Sequence, residues 1–334
     1  MNRYTVLFVS TLLLRCIAGA VQLLAQSQGP FPPDSPDCRY LDDYRYLDSL
    51  EERNFYECLK YCPVGRRSSF SFGGESRFLY LNFSHYQLTD KQEDPNGYVL
   101  QRYLLHGDFR YGNWFRVFSQ FQYTDSHWRT GGSLLIDHDA LELHQLFIGL
   151  SAELGGSILQ LNMGRREYSF GNQRWLSARE GPNTRISFDG LNLKLKSGFV
   201  LDFFLLAPVA LGPESFDARA DWNQKRIGFH FNKPSRSQNH ELNLYGLWFE
   251  TITSRPNSGA IPRKAALGLR DVLTGKSYEI DAEIMLQFAR VRGRLMHAYL
   301  AGINASYLPP LAKERVLRSG WMHSIPADVA VKTG

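Results

Sequence analysis

The chain has 334 residues, enough for two ordinary domains or for one large barrel. Charged residues make up 21 % of it and the mean hydropathy is −0.31, which excludes a helical membrane bundle. The formal net charge of +5 is a modest cationic field, suited to anionic ligands and silent about the fold.

The N-terminus reads as an address. Arg3 precedes the apolar run Thr5–Leu14 and the small residues Ala18-Gly19-Ala20, the order of a secretory signal peptide, so residues 1–25 are expected to be removed on export. The run is shorter than the roughly 20 residues that cross a bilayer as a helix, and nothing later in the chain offers such a helix. Residues 26–66 form an N-terminal periplasmic or plug segment. Within it, Gln26–Pro36 is Pro/Gly/Ser-rich and expected to lack regular structure. Tyr40–Pro63 has helical spacing of apolar residues with charges three and four apart, which predicts a short helical piece. Of the four cysteines, Cys16 falls in the signal. Cys38, Cys58 and Cys62 are read as one disulfide with a spare thiol, or as incidental. The Cys-x3-Cys spacing is poor for zinc and no histidine is near to complete a site, so no metal is expected.

From residue 67 to residue 308 the chain is strand after strand. A strand turns successive side chains to opposite faces, so alternation of oily and polar residues is its signature. Phe78–Tyr86 leads to Asp94-Pro95-Asn96-Gly97, an Asn-Gly turn signal. Tyr98–Tyr111 sets Val99, Tyr103, Leu105, Phe109 and Tyr111 against Arg102, His106, Asp108 and Arg110. Phe115–Thr124 repeats the pattern, and Leu141–Leu150 is less regular. Leu159, Leu161 and Met163 oppose Gln160, Asn162 and Gly164, while Leu191, Leu193 and Leu195 oppose Asn192, Lys194 and Lys196. Leu201–Ala207, Lys225–Asn232, Glu241–Thr251, Tyr278–Phe288 and Ala298–Tyr307 complete about a dozen strands of the length an outer-membrane strand needs. No helical crossover separates them, so the sheet is expected to be an antiparallel meander.

The fold class is therefore all-β, a transmembrane antiparallel meander β-barrel, incomplete or open, with a short N-terminal helical segment. The competing soluble sandwich would turn the oily faces towards one another and leave the polar faces free to vary. Here the polar faces hold mixed charge, as in Arg102 with Asp108 and in Glu279–Glu283. Tyr111, Tyr123, Trp128, Trp175, Trp248, Tyr299 and Tyr307 are expected as interfacial girdles. Pro309–Gly334 loses the alternation and reads as an atypical tail.

The connection between the two central strands carries Arg165, Arg166, Arg174, Arg179 and Arg185 against only Glu167 and Glu180. Gly164–Glu167, Gly171–Arg174, Asn183-Thr184-Arg185 and Phe188-Asp189-Gly190 together resemble the alginate-export family of outer-membrane porins. Asp42-Asp43-Tyr44, Leu59-Lys60-Tyr61, Gly73-Gly74-Glu75, Gln101-Arg102-Tyr103 and Glu142-Leu143-His144-Gln145 agree with it, so the resemblance runs from about Tyr40 to Tyr307. It implies a large antiparallel barrel in the cell outer membrane, with a basic, Arg-lined pore for an anionic polyuronate. Arg166 departs from the family, which commonly has Gln there. The strand count falls short of the family's barrel, so the resemblance is to a C-terminally truncated member whose transport function is in question.

Guanidinium is a rigid fork that matches carboxylates bidentately and stays charged, which suits uronate chains. Conduction asks for several weak sites in series. Arg102, Arg165, Arg166, Arg174, Arg185, Asp189 and Lys194 are the candidate pore or substrate-binding residues, with Asp189 and Glu167 as partners that hold the guanidiniums. The alternative for each is an ordinary interior salt bridge, and for Trp175 and Tyr168 a sugar-stacking face competes with girdle packing. The expected partners are an anionic polysaccharide or other anionic solute, outer-membrane lipid and a periplasmic export apparatus, without nucleic acid. A generic diffusion porin is the alternative function. A barrel enzyme is a third, with His144 beside Glu142 as its best histidine; no Gly-x-Ser-x-Gly accompanies it, and neither a catalytic site nor a cofactor is expected.

Overall fold

Alternation in the sequence becomes strand in the structure because each pleat buries one side chain and exposes the next. The computed structural model describes residues 38–83, 94–171, 173–234, 239–252, 263–291 and 294–307. The signal, the Pro-rich stretch and the tail expected from the sequence lie outside these residues. A short edge piece, β1 (Cys62–Val64), pairs with β2 (Ser68–Leu81). Antiparallel neighbours β3 (Tyr98–Tyr111), β4 (Phe115–His127), β5 (Asp139–Leu154) and β6 (Ser157–Arg166) follow. After the loop 167–187 come β7 (Phe188–Lys196), β8 (Val200–Ala210) and the two-residue β9 (Arg219–Ala220), which folds back on β8. The sheet continues through β10 (Gln224–Pro234), β11 (His240–Thr251), β12 (Arg263–Thr274), β13 (Tyr278–Val291) and β14 (Arg294–Tyr307). Apart from β9, every pairing is between neighbours in this order, with β8 joined directly to β10, and among the described residues β14 pairs with β13 alone, so the sheet is open.

The connections sort by end. Those at 112–114, 155–156, 197–199, 235–239 and 275–277 are short, while 82–97, 128–138, 167–187, 211–223 and 252–262 at the other end are long; only 292–293 is short there. Short turns at one end and long loops at the other are the habit of outer-membrane barrels. Gly155 and Gly156 close the β5–β6 turn with φ of 55° and 82°, the paired positive values that a two-residue hairpin turn requires.

The oily faces point outward. Leu105 is 63 % exposed, and Leu191, Phe203, Ile227, Leu267 and Ile284 are likewise open. On the inner face Gln120, Gln122 and Gln145 are fully buried. A sandwich has the opposite arrangement.

Several elements differ from the sequence reading, each for a physical reason. β12 escaped it because Ala266 and Gly268, on the inner face, carry no polar signal. A Cβ on Gly268 would meet the Tyr245 ring at 2.0 Å, so this strand is kept small to make room for its neighbour's side chain. The irregularity of β5 is a break in register against β4 between Gln120 and Thr124, which leaves His144 and Gln145 adjacent and both buried. The helical expectation for Tyr40–Pro63 resolves into two 3-10 turns (Arg39–Leu41 and Arg45–Ser49) and one helix, α1 (Phe55–Lys60), whose Asn54 and Glu57 form a reciprocal cap. Trp175 is not in a girdle: it lies in the loop 167–187 and packs on Phe249 of β11, ring centres 5.4 Å apart. Cys38, Cys58 and Cys62 are all free thiols.

Candidate functional site

Two segments cover the inner face. The first begins at Cys38. Tyr40 inserts between Phe118 of β4 and Phe147 of β5, edge-on to both, and its carbonyl accepts from Arg116 at 2.6 Å. Burial pushes the Cys38 thiol up to about 12, and the nearby Glu167 carboxylate adds to the effect. The second is the loop 167–187. Its Tyr168 and Leu176 join Phe188, Phe204, Leu206, Tyr245, Leu247, Ala266 and Met285 in a buried cluster that reaches from β7 to β13. Asn183 donates to the carbonyls of Gln101, Asp125 and Asp137, which ties the loop to β3 and β4. Thr184 and Thr124 share a hydroxyl bond of 2.9 Å. Gln173 and Arg179 hold positive φ, at 63° and 56°, the strain that a tightly folded-in loop stores.

The seven candidates from the sequence divide into groups. Arg102 and Arg185 converge on Glu180 of the loop: Arg102 also donates to Glu75 at 2.6 Å, and Arg185 to Glu167 at 3.1 Å. Arg77 reaches the same loop through the Glu180 carbonyl, at 2.8 Å. Glu167 is the hub, since the His144 imidazole lies 2.8 Å from its other side. Burial alone would raise the Glu167 carboxyl, but His144 and Arg185 outweigh it and hold it at about 2. His144, the best histidine of the enzyme alternative, is thus 3 % exposed beneath the loop, against a carboxylate.

Arg174 leaves this group and reaches across to Glu283 of β13 at 2.9 Å, where Tyr245 also donates. Lys194 pairs with Asp202 of β8 at 3.5 Å, and Asn192 bridges the two strands by donating to the same carboxylate.

Arg166 has a different environment. Its guanidinium lies 4.1 Å over the Tyr40 ring and within stacking range of Tyr168 and Phe147; it donates weakly to Asn192 at 3.4 Å. Among the described residues it makes no ion pair with a carboxylate, and its Nε is buried without a partner. It borders a solvent-open cavity lined also by Arg45, Arg110, Arg116, Lys194 and Lys196, with Asp43 the lone acid.

Arg165 and Asp189 fall elsewhere. They share the parity of the outward leucines on β6 and β7, and they pair side by side at 2.8 and 3.2 Å. The segment before β9 covers them, with Ala218 O accepting from Arg165 at 3.2 Å. Gly164, within β6 just before Arg165, has φ 124°, and a Cβ there would meet Leu146 O at 2.3 Å. Sequence reasoning quoted Glu75 in a motif and Asp108 as mixed charge beside Arg102, and assigned neither to the site. Asp108 holds Arg110 and Arg116 at 2.9 and 2.7 Å on the inner face. Both acids alternate with basic residues on their strands, which is the signal that could have found them.

A family profile described as alginate export matches residues 68–294. Among solved structures the fold is similar to OpdK of Pseudomonas aeruginosa, solved with vanillate, at 12 % identity and TM-score 0.41, over 72 % of this chain and 62 % of that one. A BenF-like porin from Pseudomonas fluorescens Pf-5 is similar at 11 % identity and TM-score 0.38, over 72 % of this chain and 67 % of that one. The chain thus spans about 62 % of the length of OpdK. No curated protein matches.

Proposed function

The chain belongs to the alginate export family of outer-membrane β-barrels, and on that premise we propose that its inner face lines a passage for an anionic polysaccharide of the polyuronate class. The observation that carries this reading is Arg166. It is a permanently charged fork with no carboxylate to neutralise it among the described residues, held in place by aromatic rings rather than by an acid, at the border of a cavity with six basic side chains and one acidic one. An ion-paired arginine keeps a pore's shape; an arginine without a paired acid gives it a field. Arg102, Arg174, Arg185 and Lys194 then act as the frame, since each already answers a carboxylate. Glu167 and Glu180 keep the loop 167–187 folded inward. Residues 26–66 serve as the periplasmic or plug segment and residues 67–308 as the barrel.

The test is electrical. In planar bilayers the full-length protein passes anions in preference to cations, and soluble polyuronate blocks the current. Arg166→Gln moves the reversal potential towards the cation side and weakens the block, while leaving β-sheet content unchanged. Cation preference in the unmutated protein, with no block by polyuronate, overturns the proposal and leaves a general diffusion porin.

A further inference from the structure

Three carboxylates meet at the long-loop end of the sheet, away from the basic cavity. Asp139 opens β5 and Glu142 lies three residues further on, across the register break against β4. Asp217 comes from the segment between β8 and β9. Their oxygens lie within 4.8 Å of one another. Asp139 is 0 % exposed, and neither of its oxygens accepts a hydrogen bond. Oδ1 of Asp217 is also buried without a partner. The neutral Gln122 side chain faces Asp139 without the geometry of a full hydrogen bond and brings no counter-charge.

Charge does not balance here. The positive group beside the cluster is Arg165, 3.5 Å from Glu142, and it is already engaged by Asp189 through two bonds. His138, the neighbour on the chain, is turned to Asp125 at 2.9 Å. Four carboxylates therefore share one guanidinium. Buried carboxylates are tolerated when paired or bound to a metal. An unpartnered one, aimed at two others, lacks its counter-charge.

We infer that Asp139, Glu142 and Asp217 form a divalent-cation site whose natural occupant is calcium. The ligands are hard oxygens, as calcium requires, and one from each residue lies within 4.8 Å of the others, close enough for a single ion to bridge. Magnesium is usually held by one or two carboxylates and keeps several waters, whereas three carboxylates converge here. The backbone brings the third ligand in: Phe216 N donates to Leu141 O at 3.1 Å, with Phe216 at φ 58°, and Ala218 N donates to Glu142 Oε2 at 3.1 Å. The ion would fasten the 211–223 segment onto β5. This site uses none of the residues assigned to the passage except Arg165 and Asp189 beside it, and its presence does not depend on what the passage conducts. The sequence reading found no metal constellation, because the third ligand lies far along the chain from the other two.

The test uses the full chain in detergent micelles, stripped with chelator and dialysed against radiolabelled calcium chloride. The expected result is saturable binding of one ion per chain, poorly displaced by magnesium, and a urea midpoint that rises with added calcium. Asp217→Asn, in a loop position, should weaken binding by at least about tenfold and abolish the calcium-dependent rise in midpoint, with the circular dichroism of the sheet intact. Asp139→Asn should do the same. Absence of saturable binding in the unmutated protein overturns the inference, and so does equal binding by folded Asp217→Asn and Asp139→Asn variants.

Discussion

The two halves of this sheet follow the same alternating pattern and have different interiors. From β2 to β8 the inner face is covered by residues 38–60 and the loop 167–187, and its charges, Arg166 excepted, are buried and matched: Arg102 is 0 % and Glu167 1 % exposed. From β10 to β14 the cover thins. The loop sends Leu176, Trp175 and Arg174 as far as Phe249 and Glu283, and on β14 nearly every residue is exposed. The alternation is as clean in β13 as in β3, so patterning does not account for the difference. What differs is whether a second layer leans on the polar face. An inner face becomes an ordered network only where something supplies the opposite charge and excludes water.

The comparison can be broken most forcefully at its hub. Glu167→Ala leaves Arg185 and His144 without their buried carboxylate, a loss of about 3–5 kcal/mol in urea unfolding from micelles. Retention of full stability would mean that the covered half owes nothing to its buried charges. The same residue sets an acid limit. Its folded pKa of about 2 lies below the ordinary 4.5, so its contribution is complete above pH 4.5 and is lost as pH falls towards 2. The urea midpoint of the unmutated protein should drop across that window, and the Glu167→Ala variant should show a shallower slope.

A middle-sized effect belongs to the apolar contact between the halves. Phe204 stacks on Phe170 of the loop, ring centres 5.4 Å apart, and is 4 % exposed. Phe204→Leu keeps most of the volume and loses the ring contact, at a cost of about 1 kcal/mol. Limited proteolysis of the loop 167–187 should also quicken; an unchanged rate would show that the loop is held by its ion pairs alone. The smallest effect is expected in the sparser half. Arg263, 66 % exposed, pairs with Glu250 across β11 and β12. Arg263→Ala should change the urea midpoint by less than about 0.5 kcal/mol in equivalent stability, the range of a solvated pair. A larger loss would place hidden order in this half.

The site was legible in part. Arg102, Arg166, Arg174, Arg185 and Lys194 were found because their parity or their motif set them on a polar face. Arg165 and Asp189 were grouped with them by proximity in sequence, although their parity is that of the outward leucines, and the segment before β9 covers them. Glu75 was read as part of a motif and given no role. The pairing of Arg102 with Glu180 joins residues 78 apart, which no local pattern encodes.

By itself the sequence determined the strands, their antiparallel order and which face of each is oily, because a pleated backbone imposes its period of two on every side chain it carries. Only the tertiary structure decided which charges cancel, which one remains free of an acid, and where three carboxylates meet. Those outcomes depend on how one long loop folds back over the sheet, and electrostatic partners are chosen by distance in space, not along the chain.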